Sequence, residues 1–177
     1  MILGVVLAGG QSRRFGSDKA LAELDGRTLI AHAVATVSRW TDHVVVVGRA
    51  SAPAPVLPDW PAPGLGPLGG LAAGLRFARE HGYDAVLSCG VDAALLPDNL
   101  PERLGAPPAC VAQQPVIGLW PADAAATIEA ILGGPHPHSL KALAAALGAR
   151  QVVLPVAPAN INTPADLAAL ARPDKRS

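Results

Sequence analysis

The chain's 177 residues are the length of one domain, half of them hydrophobic and only 16% charged, which is enough to bury a core around one sheet and too apolar for intrinsic disorder. Fourteen basic side chains balance fourteen acidic ones, so the chain lacks the positive footprint of a nucleic-acid binder, and any anionic ligand must be held locally. Two cysteines, Cys89 and Cys110, make neither a disulfide framework nor a zinc site and read as buried free thiols; with no signal-peptide pattern and no apolar run of membrane-spanning length, the expectation is a cytoplasmic protein.

Residues 2–8 form a continuous apolar run that stops at Gly9-Gly10, as a strand buried on both faces does. A hairpin or tight turn is expected around Asp25-Gly26. Residues 28–40 carry Ile30, Ala33, Val34, Val37 and Trp40 at helical spacing, with Thr28 as N-cap and His32, Thr36 and Arg39 on the wet face. Residues 43–48 read as a second buried strand, and residues 49–65, with five prolines, as a loop. The next helix is expected to start at Gly66 as N-cap with Pro67 in the first turn, burying Leu68, Leu71, Ala72, Leu75 and Ala78. Its interior glycines Gly69, Gly70 and Gly74 each cost roughly 1 kcal/mol relative to alanine, which implies that something approaches closely there.

Residues 84–90 read as a third buried strand, followed by Val91-Asp92 and a short helix from about Pro97. One or two strands are expected within 109–120, helices over 121–132 and 139–147 separated by a turn, and a last strand over 150–156. Thr163, Pro164 and Asp166 then supply the N-cap, first-turn proline and capping-box carboxylate of a final helix. Strands alternating with helices throughout predict an α/β doubly wound sheet in one domain over residues 1–171, with 172–177 as a frayed tail.

In such sheets ligands bind beyond the carboxyl ends of the strands, here the loops after residues 8, 48, 90 and 156. Gly9, Gly10 and Gly16 allow several backbone N–H groups to converge on one anion, and Arg13, Arg14 and Lys19 add charge. The chain has only three lysines, and this loop holds one of them. The loop matches neither a Walker A sequence nor the dinucleotide fingerprint. A phosphate loop is one reading and a polar turn with solvated arginines is the other.

The run from Leu7-Ala8-Gly9-Gly10 through Ser12, Arg14, Phe15 and Gly16 to Asp18-Lys19 resembles the signature of the molybdenum cofactor guanylyltransferases. Further matches at residues 64–75, 89–97, 114–120 and 160–167 follow in that family's order and cover nearly the whole chain. The resemblance implies a mostly parallel, Rossmann-like sheet with helices on both faces, of the nucleotide-diphospho-sugar-transferase kind. It implies transfer of GMP from GTP to the terminal phosphate of molybdopterin with Mg²⁺, releasing pyrophosphate, and transient contact with cofactor-biosynthesis proteins or apo-molybdoenzymes. Carried onto this sequence, Leu7, Ala8, Gly9 and Gly10 are nucleotide contacts and Arg14 and Lys19 are phosphate-binding cations. Asp59 takes part in guanine recognition, Asp92 is the magnesium ligand, and Asn160 and Asn162 lie near the acceptor.

Chemistry supports Asp92 independently, because a carboxylate just past a buried strand can hold a Mg²⁺ ion that keeps most of its waters. A helix-capping role is the alternative for Asp92, a turn role for Asp59, and shaping of the approach to the last helix for the two asparagines. The sequence departs from the family pattern at Gly48, where asparagine is usual, at Gly90-Val91-Asp92-Ala93-Ala94, which lacks both prolines, and at Ala165, which stands for glutamate. His43, His81, His136 and His138 carry no motif, Trp60 reads as packing against its loop, and Trp40 and Trp120 as core. Two further readings stay open: a cytidylyltransferase or related enzyme with another phosphorylated acceptor, and a non-catalytic accessory protein that binds nucleotide or cofactor.

Overall fold

The computed structural model describes residues 1–10, 15–92, 96–135 and 137–171. Three apolar runs form the middle of the sheet: β1 (Ile2–Leu7), β4 (His43–Val47) and β6 (Ala85–Gly90), with β1 parallel to both of the others. Strand side chains alternate between the faces. Val6, Val46, Leu87 and Cys89 enter one core and Leu3, Val5, Val45, Val47 and Val86 the other, so these strands are apolar throughout because both faces are covered.

The first face is covered by α1 (Leu29–Ser38), α3 (Leu100–Leu104) and α6 (Pro164–Leu170). The second is covered by α2 (Gly66–Glu80), α4 (Ala125–Gly133) and α5 (Leu140–Leu147). Four more strands, β5 (Val56–Leu57), β7 (Ala109–Val111), β8 (Gly118–Pro121) and β9 (Arg150–Val152), complete a seven-stranded sheet in the order β5-β4-β1-β6-β8-β7-β9. Only β8 runs antiparallel to its neighbours β6 and β7. The architecture is therefore the expected mostly parallel α/β sheet with helices on both faces. No helix among the described residues is long and apolar enough to cross a membrane.

Local chemistry explains the boundaries. Asp25 and Gly26 both have positive φ, 51° and 77°, which is the backbone that closes the two-residue hairpin between β2 (Glu23–Leu24) and β3 (Arg27–Thr28). The Thr28 hydroxyl accepts from Ala31 N to cap α1, and the Ser139 hydroxyl does the same for α5 from Ala142 N. Thr163 and Asp166 form the full capping box of α6. Helix α2 is hydrogen-bonded from Gly66, but the φ of Gly66 is +65°, so Pro67 is the first residue with helical geometry, as its position predicts. The α2 glycines do answer to close approach: a Cβ at Gly70 would lie 2.8 Å from Leu7 Cδ2, and one at Gly74 2.7 Å from Val5 Cγ2.

Several expectations need correction. Thr36 is buried rather than wet, and Trp40 is half-buried, donating its ring N–H to the Asp98 carbonyl at the rim, whereas Trp120 is fully buried. The proline-rich segment contributes edge strand β5, and the last strand stops at Val152, leaving Val153 and Val156 exposed. Cys89 and Cys110 are buried free thiols, and burial pushes the Cys89 thiol up to about 12. His136 and residues 172–177 lie outside the described residues.

Candidate functional site

The parallel registers align Leu7 with Val47 on one side and with Gly90 on the other, so the chain leaves β4, β1 and β6 at a common edge. Ala8 N donates to Val47 O at 2.9 Å, which commits that amide to the sheet; any contact of Ala8 with a ligand uses its other atoms. Just beyond, Gly9 and Gly48 pack backbone against backbone. A Cβ at Gly48 would lie 2.4 Å from Gly9 Cα, and Gly48 has φ +89°. The departure to glycine at position 48 therefore goes with a close approach of the two strand ends that a side chain would block.

A 3-10 turn, Lys19–Leu21, is capped by Asp18, whose carboxylate accepts from Ala20 N at 3.2 Å. It delivers Lys19 to the end of β6, where Lys19 Nζ lies 3.2 Å from Asp92 Oδ1, donates to Oδ2 at 3.4 Å and donates to the Ile161 carbonyl at 2.8 Å. The lysine thus joins the glycine loop, the turn after β6 and the segment before α6.

Burial pushes the Asp92 carboxyl above its usual range, while the charge and hydrogen bond of Lys19 and the backbone of Ile161 pull it back. Asp92 Oδ1 is buried and accepts no directed hydrogen bond, so Lys19 meets it as a charge. A buried carboxylate oxygen that accepts no hydrogen bond suits a hard cation. Among the described residues no cluster of three or more histidines, cysteines or carboxylates forms a metal cage. Asp92 therefore fits a Mg²⁺ ion, which would take its remaining oxygens from outside the described side chains.

Leu7 and Gly10 line two adjoining cavities. The smaller, about 120 Å³, also touches Ala8, Lys19 and Asp92. The larger, about 470 Å³, runs from Gly9 past Gly70 and Pro67 to Asp59 and is large enough for a nucleobase. Asp59 is thus brought into contact with the glycine-loop cavity despite its place in a proline-rich turn. A third cavity, about 380 Å³, opens from Asp92 past Val116 and Leu140 to Lys141 and Asn160. Asn162 is held differently: its backbone N donates to Asp166 Oδ2 at 2.9 Å, as part of the α6 cap. Arg13 and Arg14 lie outside the described residues. Trp60 packs under the Arg76 guanidinium, 4.6 Å from the ring centre; His43 meets the Tyr83 hydroxyl, and His81 and His138 each meet the carbonyl four residues before them.

A family model described as a MobA-like NTP transferase domain matches residues 4–172. The chain belongs to this family. The MobA-like chain is 42% identical over 180 residues to the molybdenum cofactor guanylyltransferase of Acidiphilium cryptum, covering 92% of this chain and 90% of the relative. It is 36% identical to the protein of that name from Rhodobacter capsulatus, covering 94% and 93%. The crystal structure of molybdopterin-guanine dinucleotide biosynthesis protein A from Archaeoglobus fulgidus shares its fold, with a TM-score of 0.71 at 23% identity and coverage of 94% and 95%.

As a MobA-like NTP transferase the chain is a nucleotidyltransferase, and its site contains groups that the sequence alone does not single out. Arg49, immediately after Gly48, donates Nη1 to Asp18 Oδ1 at 2.9 Å and Nη2 to Asp18 Oδ2 at 2.7 Å. Its position in the loop after a buried parallel strand is the one signal that could have found it. Gln114 donates from its amide to the Pro158 and Ala159 carbonyls, tethering the segment that carries Asn160, and no local pattern announces that contact.

Proposed function

We propose that this MobA-like NTP transferase moves GMP from GTP to the terminal phosphate of molybdopterin and releases pyrophosphate, with residues 1–171 acting as one catalytic domain. The observation that carries the reading is the adjacency, across Leu7 and Gly10, of a base-sized cavity bearing Asp59 and a charge-lined cavity bearing Lys19 and Asp92. The names of the relatives from Acidiphilium cryptum and Rhodobacter capsulatus supply the donor nucleotide and the acceptor.

In this reading guanine enters the Asp59 cavity, where a carboxylate accepts from its N1 and N2 donors, a match that adenine lacks. The triphosphate then reaches Lys19, whose ammonium neutralises charge on the phosphates. An acceptor phosphate oxygen, entering from the cavity lined by Asn160, forms a bond to the α-phosphorus as the bond to the β-phosphate oxygen breaks, and its electron pair leaves with pyrophosphate. Such a reaction needs positioning and charge neutralisation more than covalent help. Mg²⁺ held by Asp92 would supply Lewis-acid stabilisation of the phosphoryl oxygens. Transient contact with the proteins that supply or receive the cofactor belongs to the same reading.

Pyrophosphate release measured with GTP, CTP or ATP, with and without molybdopterin, tests it. Release that requires GTP and molybdopterin together is expected. A preference for CTP would make the enzyme a cytidylyltransferase, and binding without turnover would make it an accessory protein.

A further inference from the structure

The residues on either side of the Asp18–Lys19 peptide bond are of opposite charge and are held by opposite strands. Asp18 is gripped from the β4 side by both guanidinium nitrogens of Arg49, and Lys19 meets Asp92 at the end of β6. Since β1 lies between β4 and β6 in the sheet, the glycine loop leaves β1 and is then tied across its end to both neighbours. We propose that Arg49 is a positioning residue that sets where Lys19 reaches the triphosphate, acting through the Asp18 carboxylate and not by touching substrate. The inference rests on the assignment of Lys19 as a phosphate-binding cation.

Five observations carry it. The Arg49–Asp18 contact is two-pronged, the geometry in which a planar guanidinium fixes orientation as well as distance. The Arg49 side chain is only 18% exposed, so the guanidinium that holds the more open Asp18 carboxylate, 45% exposed, is itself packed in place. Both terminal nitrogens of Arg49 donate to a carboxylate that also caps the turn starting at Lys19, so moving Asp18 moves the lysine backbone. The carboxyl of Asp18 is held below its usual range chiefly by the Arg49 hydrogen bond, so the pair stays ionised at neutral pH. Asp18 also lines the cavity that holds Lys19 and Asp92, so its displacement would be felt where Lys19 is assigned to meet the triphosphate.

The clamp makes a prediction that simple electrostatics reverses. Asp18→Asn deletes a negative charge beside a polyanion site and releases a cation, so if Arg49 touched phosphate directly, GTP would bind as well or better. Acting through the clamp, the same change lets Lys19 drift and weakens binding. The experiment is calorimetric titration of GTP with Mg²⁺ into wild type, Asp18→Asn, Arg49→Ala, Lys19→Ala, and the two double variants carrying Lys19→Ala, with thermal unfolding of each. Binding about tenfold weaker in Asp18→Asn and in Arg49→Ala is expected, with no further loss from either change once Lys19 is gone. Arg49→Lys, which keeps one bond to Asp18, should recover part of the affinity, and it stands in for Arg49→Ala if that variant does not fold. Unchanged or tighter binding by Asp18→Asn, or an equal loss in the presence and absence of Lys19, overturns the inference while leaving Lys19 in the site. Unchanged binding by Lys19→Ala contradicts the assignment of Lys19 itself, and the clamp with it.

Discussion

Lys19 Nζ stands 3.2 Å from Asp92 Oδ1, a pair separated by 73 residues in sequence and joined across the end of β1. The two side chains are only 21% and 16% exposed, so the pair is largely withdrawn from water. Removing the lysine leaves a buried carboxylate without its counter-ion, and Lys19→Met should lower stability by about 1–3 kcal/mol. Adding Asp92→Asn removes the stranded charge and should restore part of that loss. Thermal unfolding of both single variants and the double variant checks this; a double variant as unstable as the sum of the singles would contradict it.

Gly70 and Gly74 lie one turn apart on α2 and face the same strand, yet their substitution should have different effects. Gly74→Ala drives a methyl to 2.7 Å from the branched end of Val5 in the middle of the sheet. That side chain is stiff, and a cost of about 1–3 kcal/mol should exceed the roughly 1 kcal/mol gained in helix propensity. Gly70→Ala meets the flexible end of Leu7 most closely, at 2.8 Å, with the Val47 methyl farther off at 3.3 Å, and Leu7 lines both the Asp59 and the Lys19–Asp92 cavities. It should cost less stability but raise the KM for GTP by about tenfold, by moving Leu7 into the base cavity. Unfolding and steady-state kinetics on the two variants separate the effects.

What the sequence made legible was what short-range chemistry decides. The capping box of Thr163 and Asp166, the Thr28 cap and the Asp25-Gly26 turn are each specified within a few residues, and each stands as expected. The apolar runs of β1, β4 and β6 announced a sheet covered on both faces, and with it the edge where Lys19 and Asp92 meet. Edge strand β5 was hidden because two residues among prolines carry no periodicity, and the reversed direction of β8 because orientation is set by partners distant in sequence. The Arg49–Asp18 pair was invisible for the same reason: each residue looks like an ordinary loop charge until the fold places β4 beside the glycine loop.

The α6 cap gives stability a pH dependence of known sign. Asp166 accepts from Asn162 N and Thr163 N, and these bonds, led by the one from Asn162, hold its carboxyl below the usual range. A folded-state value below the unfolded one means the contribution is complete above the ordinary carboxylate value, about pH 4, and is lost as pH falls through the folded value. The stability gap between wild type and Asp166→Asn should therefore shrink on acidification below about pH 4. Denaturant melts at neutral and acid pH measure it, and a constant gap would show that the charge of Asp166 plays no part.

Asp59 should set base preference without setting turnover of a bound nucleotide. With the carboxylate removed in Asp59→Ala, guanine loses the acceptor for its N1 and N2 donors, so GTP affinity should fall toward that of ATP, a loss on the order of tenfold. Competition binding of GTP and ATP to the wild type and the variant tests this, and unchanged discrimination would return Asp59 to the role of a turn residue.

The decisive substitution is Asp92→Asn, which keeps the size of the side chain and its capacity to accept a hydrogen bond at the end of β6 while deleting its charge. If Asp92 holds the metal that neutralises the reacting phosphates, the benefit is realised mainly in the transition state. Pyrophosphate release from GTP and molybdopterin, titrated with Mg²⁺ on a variant whose thermal unfolding is recorded in parallel, should fall by about two or more orders of magnitude with the folded state retained. Near-normal, Mg²⁺-dependent release by the folded Asp92→Asn protein would contradict the account and move the reaction centre away from the Lys19–Asp92 pair.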